Sequence, residues 1–346
     1  MTKNLLSIIF LYSAVLSLGA CTFSNSQTSH SKIEHSVLVK DITSIQLNSN
    51  AMMQHLNQFQ RIAQQHGGNR AVGTAGGQAS TQYILDHLKK TSFSVQAIPF
   101  ENRSQLIGEN IIVEIEGHNK EQAIIIGAHY DSVKIGPGIN DNATGTALLL
   151  ELADQFAKLK DKPPYTIYLA FWDSEEDGIG GSQAFVKSLS DQQLKNIKAY
   201  INVDMVGTKD PNILIADADK SSVDEMERML QEKGMLTADY QPLLDGLRSL
   251  PTHEGDLQLE NHLKTFFAAK RVKIKEDVAT LTASDTAPFL GKVPVTSIIF
   301  FNERMQGNVL EFAPCYHQAC DTADLVDPES LTLAGEAIIH LLKNVH

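Results

Sequence analysis

Residues 124–146 read IIIGAHYDSVKIGPGINDNATGT, and this stretch indicates the fold class. It opens on three isoleucines, which are typical of a buried strand, and turns polar at residues 129–131, where that strand should end. A loop rich in glycine, proline and asparagine then carries Asp141, and a helical pattern begins at about Ala147. Open α/β sheets place their ligand sites at such strand–loop–helix junctions.

Two later segments also combine an apolar strand pattern with acidic residues at its end. Tyr165–Trp172 is a second apolar strand pattern, and it ends in Asp173-Ser174-Glu175-Glu176. Tyr200–Val203 is a third, and it ends at Asp204. Parallel strands require helical crossovers, so the chain predicts an α/β fold with a mixed, mostly parallel sheet and helices on both faces. The acidic residues should then meet at one edge of this sheet.

Histidines and carboxylates together indicate a metal. His129 ends the first strand, and His317 lies near the C-terminus, close to Asp321. Zinc accepts nitrogen and oxygen ligands and is commonly four-coordinate. A carboxylate shared by two ions would create a two-metal site about 3.5–4 Å across.

Five motifs resemble, in order, those of the two-zinc aminopeptidases of metallopeptidase clan MH. They are His129-Tyr130-Asp131-Ser132, Asn140–Gly145, Glu175–Gly178 with Gly181-Ser182, Asn202–Met205, and His317 with Asp321-Thr322. The resemblance extends from about Gly68 to the end of the chain. It implies two Zn²⁺ per chain, and peptides with a free N-terminus as substrates.

The resemblance also implies the metal ligands. His129 and Asp204 would hold one zinc, Glu176 and His317 would hold the other, and Asp141 would join the two. It further implies a cis peptide bond directly after Asp141. Each ion would keep a position for water, as catalytic zinc requires.

Two further residues are candidates for catalysis. Asp131 lies two positions after His129, so strand alternation puts both side chains on one side, where the carboxylate can fix the imidazole ring. Glu175 and Glu176 are adjacent and point differently, so one can bind metal while the other acts as general base. The resemblance assigns the base to Glu175.

Three other features accompany the site. Arg70 either packs beside it, as in many relatives, or is exposed in a loop. Asp285 resembles a residue that supports a ligand histidine, although Thr286 stands where many relatives have His. Cys315 and Cys320 flank the last proposed ligand, and we expect a small-loop disulfide between them, with two reduced thiols as the alternative.

The remaining pattern predicts helices and strands around the site. We expect helices over residues 41–65, 76–91, 221–235 and 329–345, antiparallel strands over 93–100 and 108–116, and further strands over 212–216 and 294–300. Residues 210–283 are the least regular part of the sequence. His253 and Glu254 lie there, and we expect a loop because no second histidine follows at the spacing of a zinc helix.

The N-terminal residues predict export. Residues 1–20 combine a basic start, a short apolar run and small residues, which is typical of a signal peptide. The end of this segment resembles a bacterial lipobox, which implies a lipid on Cys21; an ordinary signal with a chance cysteine is the alternative. Thr22 after it favours the outer membrane, facing the periplasm. Residues 21–40 predict a flexible tether, and residues 41–346 one peptidase domain.

Charge and composition limit the partners. The chain has a formal net charge of −12 and no basic run, so nucleic acid is a poor candidate. The only expected membrane contact is the lipid on Cys21, and the sequence does not predict the oligomeric state. Three alternatives to an aminopeptidase remain. They are a glutaminyl cyclase of the same fold, a carboxypeptidase acting on acidic C-terminal residues, and a non-catalytic receptor-like protein.

Overall fold

The computed structural model of the chain describes residues 42, 44–237, 240–306 and 309–345. The predicted signal peptide (1–20) and tether (21–40) lie outside the described residues. No helix within the described part of the chain is both long and apolar enough to cross a bilayer.

One eight-stranded sheet forms the centre of the fold. Its strands are β1 (Ser94–Glu101), β2 (Ile107–Ile115), β3 (Asn119–His129), β4 (Tyr165–Trp172), β5 (Ile197–Asp204), β6 (Asn212–Ala216), β7 (Ile274–Asp277) and β8 (Val295–Phe301). Their order across the sheet is β1-β2-β4-β3-β5-β8-β6-β7. The four central strands β4, β3, β5 and β8 are parallel, whereas β2 pairs antiparallel with both β1 and β4, and β6 antiparallel with β8. This confirms the predicted mixed, mostly parallel sheet.

Nine helices surround the sheet within the described residues. They are α1 (Ser49–Gln65), α2 (Ala75–Leu88), α3 (Thr144–Phe156), α4 (Gly180–Ser188), α5 (Asp191–Asn196), α6 (Ser221–Glu232), α7 (Gln241–Arg248), α8 (Asp256–Lys270) and α9 (Pro328–Asn344). A short hairpin, β9 (Arg304–Gln306) and β10 (Val309–Glu311), follows β8.

Both faces of the central sheet are buried. Ile124 and Ile126 of β3 belong to one apolar cluster, which also contains side chains of α1, α3, α8 and α9. Ile125, between them, belongs to a second cluster with Trp172 and Tyr200. Successive side chains of a strand point to opposite faces, so β3 needs apolar residues at every position. This explains the uninterrupted isoleucine run.

A glycine permits the packing over β3. A Cβ on Gly127 would lie 2.4 Å from Nε1 of Trp172 and 2.6 Å from the hydroxyl oxygen of Tyr200. The indole N–H donates to that hydroxyl at 3.0 Å, and the hydroxyl donates to Oδ1 of Asn202 at 3.0 Å. These contacts join the ends of β4 and β5 beside the carboxyl end of β3.

Two predictions about helices were incomplete. The predicted helix over residues 41–65 is interrupted at residues 44–48, and α1 begins at Ser49, where Asn48 caps it by accepting a hydrogen bond from the N–H of Ala51 at 3.2 Å. Within residues 210–283, α7, α8 and β7 had not been predicted. His253 and Glu254 precede α8 without joining it, as expected. The edge strands and the C-terminal helix agree with their predicted ranges to within about one residue.

Candidate active site

The carboxyl end of β3 carries the first cluster of polar side chains. Nε2 of His129 lies 3.3 Å from Oδ1 of Asp141 and 3.6 Å from Oδ1 of Asp204, the last residue of β5. All three side chains are buried, and one ligand atom from each lies within 4.8 Å of the others. The parallel pairing of β3 with β5 brings the histidine and Asp204 to the same edge.

A second cluster adjoins the first. Nε2 of His317 lies 3.1 Å from Oδ2 of Asp141 and 3.1 Å from Oε2 of Glu176. The two oxygens of Asp141 therefore face different histidines, and this carboxylate belongs to both clusters. The five side chains predicted as metal ligands thus converge at one place.

The main chain around Asp141 is held from two sides. The peptide bond between Asp141 and Asn142 is cis, as expected. Asp321 accepts hydrogen bonds from the N–H groups of Asn140 at 2.8 Å and of Asp141 at 3.2 Å. The side-chain amide of Asn142 donates to the carbonyl of Val203 in β5 at 2.8 Å. These contacts fix the loop against both the C-terminal segment and the sheet.

Asp131 connects the two strand ends. Its Oδ1 lies 3.3 Å from Nδ1 of His129, although the pair is not aligned well enough to count as a hydrogen bond. The same carboxylate accepts the main-chain N–H groups of Glu175 at 3.1 Å and of Glu176 at 3.3 Å. It therefore positions both the histidine and the acidic segment after β4.

Glu175 lies beside the clusters rather than within them. Burial raises the pKa of its carboxyl well above the usual range; the neighbouring charge of His129 opposes this, and those of Asp285 and Asp204 add to it. Burial and the charge of Asp141 likewise raise the pKa of Glu176 to about 7. Burial is thus the main cause of both shifts, and neighbouring carboxylates add to it.

The donor set fits a metal cation. Oε1 of Glu176 and Oδ1 of Asp204 are buried and have no hydrogen-bond partner. Burial alone would lower the pKa of His317, but the carboxylates of Asp141 and Glu176 outweigh it and raise the pKa to about 10. Buried carboxylates at this density need compensating positive charge. Imidazole nitrogens and carboxylate oxygens are ligands that zinc accepts.

Arg70 supports the loop behind the site. It is fully buried, so the alternative of an exposed loop arginine is wrong. Its guanidinium donates to the carbonyls of Pro137 at 2.8 Å, Gly138 at 2.5 Å and Tyr130. Its main-chain N–H donates to the hydroxyl of Ser132 at 2.8 Å. The guanidinium of Arg70 thus donates its hydrogen bonds to main-chain carbonyls.

Asp285 lies beside the site and contacts α4. Its Oδ1 accepts a hydrogen bond from Ser182 at 2.5 Å, and its Oδ2 is buried without a hydrogen-bond partner. His129 acts on Asp285 through its charge, and no hydrogen bond between Asp285 and a ligand histidine is found within the described residues. Ser182 lies in the first turn of α4, so Asp285 holds the start of that helix.

The loop that carries His317 is closed by a disulfide. Cys315 and Cys320 are bonded with an S–S distance of 2.03 Å, as predicted. The ring of Tyr316 stacks on that of His317 at a centroid distance of 3.8 Å. Both the disulfide and the stacking limit the positions open to the histidine.

Glu311 anchors this loop and had not been predicted. It accepts the N–H of Cys315 at 2.7 Å and the side-chain amide of Gln318 at 3.1 Å, while Arg304 pairs with it at 2.5 Å. No motif marks Glu311 in the sequence. Asp321, in contrast, had been recognised within a motif, but its contacts with Asn140 and Asp141 required the structure.

Residues 110–342 match the sequence profile of Peptidase family M28. The chain belongs to this family. The matched region includes every side chain of the two clusters and Glu175.

Two relatives match the chain over at least 246 residues. Leupeptin-inactivating enzyme 1 of Streptomyces exfoliatus is 27% identical over 299 residues, which is 83% of this chain and 60% of the relative. The probable lipoprotein aminopeptidase LpqL of Mycobacterium tuberculosis is 30% identical over 246 residues, 67% of this chain and 44% of the relative. The chain therefore matches less than two thirds of the length of these relatives.

Solved structures share the fold. A zinc aminopeptidase from Bacillus subtilis superposes with a TM-score of 0.62 at 16% identity, over 86% of this chain and 95% of that one. A glutaminyl cyclase from Porphyromonas gingivalis gives a TM-score of 0.62 at 19% identity, over 86% of this chain and 98% of that one. This M28 chain thus has a fold common to both activities, and the fold does not distinguish them.

Proposed function

We propose that this protein is a zinc aminopeptidase that removes N-terminal residues from peptides. The observation that carries the proposal is the position of Asp141, whose two oxygens face His129 and His317 separately. Membership of Peptidase family M28 supports it. A carboxylate shared in this way is what a two-metal centre requires.

The proposed ligands follow from the two clusters. His129 and Asp204 would hold one zinc, Glu176 and His317 would hold the other, and Asp141, which belongs to both clusters, would be shared between them. When bound, zinc supplies a Lewis acid for the substrate carbonyl and lowers the pKa of water.

Glu175 is the proposed general base. One of its Oε atoms removes a proton from the water that attacks the peptide carbonyl carbon, and then passes this proton to the nitrogen of the leaving amine. A C–O bond forms and the C–N bond breaks, so a peptide and a free amino acid result. Asp131 holds the main chain of Glu175 during both transfers.

The charge of the site favours a free N-terminus. Glu175, Asp131 and Asp285 lie at this edge and are not assigned to zinc, so carboxylates remain that would attract an ammonium group when zinc is bound. An enzyme that selects C-terminal carboxylates needs a cation facing the substrate. Within the described residues Arg70 is the one buried arginine or lysine, and it is turned toward main-chain carbonyls, while Arg103, near the acidic segment after β4, pairs with Asp177. This supports an aminopeptidase over a carboxypeptidase.

Glutaminyl-peptide cyclisation is the second candidate. The structural likeness to the cyclase of Porphyromonas gingivalis favours it as much as it favours peptidases. The resemblance associates that reaction with a single zinc, whereas the shared position of Asp141 supports two. A receptor-like protein without turnover is the third candidate.

We also propose that the protein is a lipid-anchored component of the bacterial cell envelope, in the outer membrane and facing the periplasm. The lipobox-like end of the predicted signal supports this, as does the name of the lipoprotein relative. Labelling of intact cells with a radioactive fatty acid tests it: wild type should be labelled, and Cys21→Ser should not. Unlabelled wild type would contradict the anchor.

Three peptides test the proposed activity directly. They are a Leu-Ala-Phe amide with a free N-terminus, the N-acetylated tripeptide acid, and a Gln-Ala-Phe amide. Protein lacking residues 1–21 and loaded with zinc should release leucine from the first and leave the second intact. Mass spectrometry would separate hydrolysis of the third from its cyclisation.

Glu175→Gln supplies the mechanistic comparison, with Glu121→Gln, an exposed glutamate of β3, as the matched control. Glu175→Gln should lower kcat by about 10²–10⁴-fold while zinc remains bound.

The three peptides also separate the alternatives. If wild type cyclises the Gln-Ala-Phe amide and hydrolyses none of the peptides, the protein is a glutaminyl cyclase. Cleavage of the acetylated peptide alone would indicate a carboxypeptidase, and zinc binding without turnover would indicate a receptor.

A further inference from the structure

Three side chains away from the candidate active site form another metal-binding arrangement. His55 lies on α1, His87 in the last turn of α2, and Asp154 in the last turn of α3. One ligand atom from each lies within 4.8 Å of the other two. Helix α1 packs against both α2 and α3, so the three side chains meet where these helices come together.

The individual contacts define this cluster closely. Nε2 of His87 lies 3.1 Å from Oδ1 of Asp154. The rings of His55 and His87 meet edge to face with their centroids 4.6 Å apart. The hydroxyl of Tyr83 lies 2.6 Å from Nδ1 of His55 and fixes that ring. A hydrogen-bond partner of this kind is the usual support of a histidine ligand.

We propose that His55, His87 and Asp154 bind a transition-metal ion, with zinc as the first choice. Two imidazoles and one carboxylate match the ligands that zinc accepts. His55 is 6% exposed, whereas the side chains of His87 and Asp154 are 12% and 33% exposed. Packing thus fixes His55, and the more exposed side of the cluster, at Asp154, leaves room for water to complete the coordination.

This helix-junction site is separate from the candidate active site. Helix α3 begins at Thr144, three residues after Asp141, and Asp154 lies ten residues further along it. At 1.5 Å per residue this places Asp154 about 15 Å from the start of the helix. A metal there would not reach a substrate bound at His129. It would instead cross-link α1, α2 and α3 and stabilise their packing.

An ordinary ion pair between His87 and Asp154 is the competing explanation, and the chain contains a matched example. Nε2 of His118 lies 2.9 Å from Oδ1 of Asp161 at the protein surface, and no third ligand residue completes a cluster there within the described part of the chain. His118→Gln removes a pair of the same chemistry. It is therefore the control for His87→Gln.

The test measures zinc binding and thermal stability rather than activity. The full chain, stripped of metal by a chelator, is titrated with zinc by calorimetry as wild type, His87→Gln, Asp154→Asn and His118→Gln. Each is also melted with and without zinc. The series is repeated in an Asp141→Asn background, so that zinc at the candidate active site cannot conceal the result. The outcome therefore does not depend on the proposed aminopeptidase function.

We expect His87→Gln and Asp154→Asn to bind one zinc fewer per chain than wild type and His118→Gln, and to lose part of the zinc-dependent rise in Tm. Tyr83→Phe should keep the site but weaken its zinc affinity about tenfold or more. Circular dichroism checks that each variant folds, and the partly exposed Asp154 is the position where folding is least at risk. Equal zinc binding by all four proteins in both backgrounds would overturn the proposal.

Discussion

The carboxylate of Asp131 accepts a hydrogen bond from the main-chain N–H of Glu175 at 3.1 Å. The same oxygen, Oδ1, lies 3.3 Å from Nδ1 of His129. One buried side chain therefore positions a proposed metal ligand on β3 and the proposed general base after β4. A change at Asp131 should consequently affect metal binding and catalysis together.

Asp131→Asn should lower kcat/KM by about 10–100-fold and weaken zinc binding in the same range. The neutral amide offers one acceptor oxygen, so it cannot serve both the Glu175 and Glu176 N–H groups and the imidazole. Steady-state kinetics and zinc titration measure both effects, with Glu121→Gln as the control. An unchanged zinc affinity would contradict the positioning role.

Asp321→Asn should weaken zinc binding at both clusters. Its carboxylate accepts the N–H groups of Asn140 and Asp141, each on a separate oxygen, so an amide must face one of these donors with its own NH₂ group. We expect an affinity loss of about tenfold or more. Asp324→Asn, an exposed neighbour, is the control. Equal zinc affinities of the two variants would contradict the role of Asp321 in holding the main chain of Asp141.

Glu311→Gln should affect the His317 side of the centre selectively. Oε1 of Glu311 accepts from both Cys315 and Gln318, and Oε2 faces Arg304, so the neutral amide offers a single acceptor oxygen where the loop and Arg304 used two. We expect zinc bound with Glu176 and His317 to weaken about tenfold. Arg304→Gln removes only an ion pair whose arginine side is exposed, so its effect should stay within about twofold. Similar losses in both variants would assign the effect to the ion pair instead of the loop.

Glu260 should make stability depend on pH. Burial raises the pKa of its carboxyl above the usual value of 4.5, although it accepts the N–H of Ala218 at 2.7 Å and pairs with Lys264. A raised folded-state pKa means that the stabilising contribution is full below pH 4.5 and is lost as the pH rises through the folded-state pKa. Glu260→Gln should therefore gain stability relative to wild type as the pH rises from about 4.5 through the raised folded-state pKa. Urea unfolding at several pH values measures this difference, and a constant difference would contradict it.

The central sheet was predictable because its strands are buried on both faces. An isoleucine run such as that of β3 predicts a strand buried on both faces. If β3, β4 and β5 are parallel, the polar residues at their carboxyl ends lie at the same edge of the sheet. The proximity of His129, Glu176 and Asp204 follows from that topology alone. Asp141 and His317 come from loops, and only the resemblance to known aminopeptidases connected them with the strand ends.

The remaining elements depend on contacts that sequence patterns conceal. Helix α8 buries Leu259, Leu263 and Phe266 at helical spacing, but it also buries Asp256 and Glu260, which obscures its apolar face. Oδ1 of Asp256 accepts a hydrogen bond from the N–H of Val295, which lies 39 residues later in the chain. The first helix was extended too far because apolar residues before Asn48 continue its pattern. Local periodicity does not reveal such long-range partners.

Zinc stoichiometry tests the central claim most directly, because Asp141 is proposed to serve two ions. Metal-stripped wild type, His317→Ala and Asp141→Asn should be titrated with zinc under identical conditions, and the bound zinc compared with wild type. Any ion at His55, His87 and Asp154 cancels in this comparison. The account predicts about one zinc fewer for His317→Ala and about two fewer for Asp141→Asn. Loss of the same single zinc in both variants would contradict a shared carboxylate and a two-metal centre.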